Sequence, residues 1–199
     1  MNFKYYDLLS NLIVGAVAFY AIWKLLFPSL EFSEWVVIPA GYVFGYFLDA
    51  FSSVIEPLLH KAIGGKPFEK LLSAPRYGRN WTGTKKVKFF FSEKVIRLLR
   101  EDTGDPAATP EKMFRYAKLK ANSNMECRVS DFNGHYALAR VMLTTLIIAA
   151  IVAEAKFYNV WYSWLISLGI LLLAWNRYKE RGYYYTREVL NEYLRAHGE

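Results

Sequence analysis

Asp49, Ser52, Ser53, Glu56 and His60 recur every three or four residues inside a long apolar run, so a helix would place them along one face. A carboxyl within an apolar helix is costly to leave against lipid, and Asp49 lies about 16 Å at helical rise before His60. Two readings follow for Asp49. It lines a wet path or carries a proton, or it is a structural carboxyl bonded to Ser, Tyr or Arg140 of a neighbouring helix, or packed in its protonated form. Glu56 falls near the end of the run, where a solvated rim residue is expected. One turn earlier, Gly41 and Gly45 form a small-xxx-small surface that lets another helix approach closely, within the chain or from a second copy.

A second series, Cys127, Asp131 and His135, has the four-residue spacing of a helix face. The outer pair would stand about 12 Å apart along a helix, too far to share one ion or one catalytic triad. A helix face approaching the membrane is the expected role, and no metal ligand, cofactor or catalytic residue is assigned. Phosphate-cradling Gly-x4-Gly-Lys-Ser/Thr, His-Glu-x2-His and Gly-x-Ser-x-Gly patterns do not occur in the sequence. Cys127 is the only cysteine, which excludes an internal disulfide framework and fits a reducing compartment.

The elements that must position these residues are four apolar runs, Leu8–Phe27, Trp35–Leu59, Tyr136–Ala153 and Val160–Trp175. Each is at or near the length of about 17–25 residues that spans a bilayer as a helix. They pair closely through Pro28–Glu34 and Glu154–Asn159, which carry one basic residue between them, Lys156. The stretch from His60 to His135 carries 16 Lys and Arg, and the tail from Asn176 carries 5 more. Positive charge stays on the cytoplasmic side, so both termini and the central segment are expected there. The first run extends past the length of a secretory h-region with only Lys4 before it, so a retained span is expected rather than a signal peptide. A net charge of +7 and a mean hydropathy of +0.08 reflect this basic, polar middle.

The expected architecture is all-α: a first transmembrane hairpin over 1–60, a helical cytoplasmic module over 61–135, a second hairpin over 136–176 and an amphipathic tail over 177–199. Within the module, Ser92-Glu93 opens a helix through Arg100, and Thr109-Pro110-Glu111 opens another as N-cap, first-turn proline and acid. Lys85–Phe91 alternates enough for a short strand. Tyr184, Val189, Leu190, Tyr193 and Leu194 give the tail an apolar face for the membrane surface or for the module.

Lys85, Lys86 and Lys88 beside Trp81 form a basic, aromatic segment suited to a soluble protein partner or to lipid headgroups. A nucleotide is a further alternative ligand there, and nucleic acid is not expected, because membrane anchoring accounts for the basic charge.

Tyr6-Asp7-Leu8-Leu9 leading into Leu12–Gly15, then Gly41–Ser53, then Phe114-Arg115-Tyr116 and Phe132-Asn133 before the third run, give a layout that resembles small bacterial four-span proteins, some encoded in antiviral defence operons. The resemblance covers most of the chain by architecture. It implies an oligomeric membrane effector or sensor paired with a soluble protein, and it implies no catalytic residues. The leading expectation is therefore a non-enzymatic effector or sensor embedded in the bilayer. The alternatives are a small ion channel or transporter subunit with Asp49 on the path, and a lipid-modifying membrane enzyme.

Overall fold

The computed structural model describes residues 5–29, 33–73, 92–122 and 128–198. All regular structure in these residues is helical: α1 (Tyr5–Leu26), α2 (Glu34–Ala62), α3 (Pro67–Ser73), α4 (Ser92–Thr103), α5 (Pro110–Asn122), α6 (Val129–Lys156) and α7 (Trp161–Arg195). The alternating segment Lys85–Phe91 lies outside the described residues.

Two of the four apolar runs, in α2 and α6, form helices long and apolar enough to cross a membrane, and only a minority of each apolar stretch is buried within the chain. The apolar part of α1, Asn11–Leu26, is shorter. The opening of α7 mixes Trp161, Tyr162, Ser163 and Trp164 with its leucines and soon meets Asn176 and Arg177, which dilutes its apolar character.

The chain divides into two compact units, Met1–Pro57 with Ala137–Tyr178, and Leu58–Tyr136 with Lys179–Glu199. In the first, Ala18, Leu48 and Val141 from three different helices form a small core, flanked by Val14, Phe44 and Ile148. Much of the remaining apolar surface faces outward, including Trp35, Phe47, Val54, Ile151, Leu168 and Leu173.

In the second unit Leu72, Val95, Leu99, Met113, Ala117, Val189, Leu190 and Tyr193 are buried, and so are the polar Thr186, Glu188 and Glu192. Helices α3, α4 and α5 are mutual neighbours. Local chemistry sets their starts. The Lys66 amide donates to Glu69 Oε2 at 2.9 Å ahead of Pro67, and the Lys112 amide donates to Thr109 Oγ1 at 3.3 Å ahead of α5. Helix α2 ends where Gly64 turns to a φ of 78°, a left-handed conformation that glycine takes without strain.

The last apolar run and the expected amphipathic tail form one helix, α7, which runs through Gly182 to Arg195. A glycine costs a helix only about 1 kcal/mol, and here it makes room: a Cβ at Gly182 would stand 3.0 Å from Tyr136 Cε2 and 3.3 Å from Pro67 Cγ. The tail beyond it packs on the helical module. Tyr185 stacks on Tyr136 at 5.9 Å between ring centroids, Phe114 meets Tyr185 edge-on at 6.2 Å, and Tyr116 meets Tyr193 at 6.4 Å.

Candidate functional site

Helix α2 carries Asp49, Ser52 and Glu56 at positions i, i+3 and i+7, which brings three polar side chains onto one side of two turns. Arg140 of α6 reaches all three. Its Nη2 donates to Asp49 Oδ1 at 3.0 Å, its Nη1 to Glu56 Oε2 at 2.6 Å, and its Nε to Ser52 Oγ at 3.1 Å. A planar guanidinium carries five N–H donors in a fixed fork, so one arginine can satisfy partners spread over two turns where a lysine could not. Ser52 is fully buried and turns its own proton back to the Asp49 carbonyl at 2.7 Å, leaving its lone pairs for Arg140. Ser53 makes the equivalent backbone contact at 3.1 Å from an exposed position.

Two carboxylates against one guanidinium leave this cluster one negative charge in excess when all three are ionised. The Arg140 side chain is 14% exposed, that of Glu56 23% and that of Asp49 38%, so the cation is the enclosed member and Asp49 the outermost. Asp49 thus has the ion-paired environment of a structural carboxyl on one of its oxygens. Glu56 is held by the cluster too, rather than standing alone as a solvated rim residue. His60, on the same sequence spacing, belongs to the other unit, where the Tyr136 hydroxyl lies 3.3 Å from its Nε2.

Gly41 and Gly45 are filled from within the chain. A Cβ on Gly45 would fall 1.9 Å from the Asn11 carbonyl oxygen, one on Gly41 would fall 2.4 Å from Ala16 Cα, and one on Gly15 would fall 2.1 Å from the Gly41 carbonyl oxygen. Glycines on α1 and α2 thus let the two backbones touch, and α1 occupies the seam that a second copy would otherwise need. Lys85, Lys86, Lys88 and Trp81 lie outside the described residues, as does Cys127. Asp131 and His135 lie on α6, and among the described residues no three His, Cys, Asp or Glu side chains come together as a metal set.

Two polar arrangements escaped the sequence reading because their members are far apart in the chain. Glu154 on α6 is buried, and Ser163 and Ser167 of α7, one turn apart, place their hydroxyls 2.7 and 2.6 Å from its two oxygens. In the helical module, Asp102 Oδ2 accepts from the Tyr193 hydroxyl at 2.9 Å and meets His197 Nε2 at 3.0 Å, while His197 Nδ1 faces the Tyr193 carbonyl at 3.0 Å. Burial, reinforced by the bond to Asp102, raises the Tyr193 hydroxyl above the ordinary phenol range, and burial pushes Tyr183 up to about 12. The i, i+4 spacing of Ser163 and Ser167 is the one signal that could have pointed to a shared acceptor.

The chain matches no protein-family model, no curated protein and no solved structure.

Proposed function

We propose that this chain is a non-enzymatic effector or sensor of the bacterial inner membrane, oligomeric, crossing the bilayer four times with both termini and the helical module in the cytoplasm. A soluble protein partner engages the module, and the spans convert that event into a change of membrane state, in the antiviral setting that the layout resemblance implies. One observation carries the reading: α7 is a single unbroken helix whose two halves have opposite surroundings. Leu165, Leu168, Leu172 and Leu173 in its first half are exposed apolar side chains, whereas Tyr185, Val189, Leu190 and Tyr193 in its second half are buried in the module. In this reading a change in the module is passed along α7 to the segment proposed to lie in lipid. Lys and Arg flanking the apolar runs support the orientation.

The Arg140 cluster supports a structural role in holding α2 to α6, because a guanidinium that meets three partners fixes helix register. The channel reading retains one supporting observation, the outward exposure of Asp49.

The test is to interrupt α7 while leaving both halves intact. Insertion of a flexible Gly-Ser pair after Arg177 is expected to preserve membrane insertion and module folding but to abolish growth arrest and depolarisation on overexpression. Full toxicity with the insertion present would remove α7 as the coupling element.

A further inference from the structure

Helix α2 has a second polar stripe. Tyr42, Tyr46, Asp49 and Ser53 are spaced by four, three and four residues and share one face, about a quarter turn from the buried Gly41, Gly45, Leu48 and Ser52. Tyr46 is 63% exposed and Tyr42 38%. Among the described residues neither tyrosine hydroxyl meets a partner, and Asp49 Oδ2 accepts no hydrogen bond, since Arg140 takes Oδ1.

Interfacial anchoring does not account for these tyrosines. Measured from the exposed Trp35 at 1.5 Å per residue, Tyr42 lies about 10 Å, Tyr46 about 16 Å and Asp49 about 21 Å along the helix, with His60 roughly 16 Å further. Tyr46 and Asp49 therefore fall in the middle of a hydrocarbon layer about 30 Å thick, where lipid tails offer no hydrogen-bond partner.

We propose that this stripe is where a second copy of the chain docks, the Tyr46 hydroxyl of each copy donating to the free Asp49 oxygen of the other. The inference rests on α2 crossing the bilayer, as the proposed function has it. Two features single out a second copy as the occupant. The stripe carries donors and an acceptor about one turn apart, so it is self-complementary, as a two-fold interface between identical surfaces requires. The close-packing face of Gly41 and Gly45 is already filled by α1, so self-association needs a different face of α2.

Full-length chains labelled with donor and acceptor fluorophores and reconstituted in lipid bilayers measure the association. Tyr46→Phe removes one hydroxyl that has no hydrogen-bond partner among the described residues, and it is expected to weaken association roughly three- to twentyfold, the range for interhelical hydrogen bonds in membranes. Asp49→Asn should weaken it as well, and the double variant should lose no more than the larger single loss, because both changes break one bond. Unaltered association in Tyr46→Phe, or fully additive losses, overturns the interface. So does a wild-type chain that stays monomeric while a cysteine placed at Tyr46 reacts with a small polar thiol reagent, the signature of a stripe that faces water. Labelling of Ser33→Cys and Ser73→Cys, each in a chain with Cys127 replaced, with an impermeant thiol reagent separates the two failures: an intact topology without self-association removes only the docking surface, whereas a lost topology removes both.

Discussion

At the scale of single residues, Arg140 carries the polar chemistry of the apolar unit. Asp49 and Glu56 are tolerable among apolar helices because one guanidinium meets both. Arg140→Leu removes the guanidinium that both carboxylates meet and should destabilise the chain by about 3–5 kcal/mol, the range for removing one side of a buried pair. Thermal unfolding in detergent reads the loss. Replacing Asp49 and Glu56 with Leu and Met in the same chain should recover most of the stability, because an apolar set of similar volume needs no partner. A variant that remains unstable after all three changes would show that the cluster does more than hold helices together. In the helical module, the raised tyrosines make a pH prediction. Tyr183 and Tyr193 ionise above their unfolded value of about 10. Their protonated forms therefore stabilise the module fully below that value, and the contribution is lost as pH rises toward about 12 and beyond. Alkaline titration followed by helical circular dichroism should show this loss, and Tyr193→Phe should move it to higher pH. An unmoved midpoint would place the alkaline sensitivity elsewhere.

At the scale of elements, glycines with opposite surroundings give a controlled pair. Gly45→Ala gains about 1 kcal/mol of helix propensity. Its Cβ, however, would meet a backbone carbonyl at 1.9 Å, which no side-chain rotation relieves. The net effect should be a destabilisation of about 1–3 kcal/mol through separation of α1 from α2. Gly134→Ala on α6 meets nothing within 4 Å and should stabilise by about 0.5–1 kcal/mol. Thermal unfolding of both variants in detergent checks the contrast, and equal effects would mean the seam is looser than its geometry. The elements were largely legible in advance where local signals agree. Thr109-Pro110-Glu111 opens α5, and Gly64-Gly65 with Pro67 separates α2 from α3. Pro39 and Pro57 lie inside α2 without ending it. The continuity of α7 through Gly182 was less legible, because the reason for that glycine is the ring of Tyr136, distant in sequence.

At the scale of the molecule, the chain divides into two compact units, Met1–Pro57 with Ala137–Tyr178 and Leu58–Tyr136 with Lys179–Glu199. The polar face of α2 was visible as spacing, and Arg140 could be named as a candidate partner, but not the simultaneous grip on Asp49, Ser52 and Glu56. Charge at a known spacing is a local signal, whereas a three-way contact depends on helix register. The Asp102–Tyr193–His197 and Glu154–Ser163–Ser167 arrangements stayed hidden because tertiary packing alone brings their members together. The central claim is that the apolar runs cross the bilayer four times and leave the module on the cytoplasmic side. Single cysteines introduced after replacement of Cys127, probed in intact cells with a membrane-impermeant thiol reagent, test it most directly. Ser33→Cys and Asn159→Cys should be labelled from outside, and Ser73→Cys and Gly198→Cys only after the membrane is opened. Labelling of Ser73→Cys in intact cells would contradict the account.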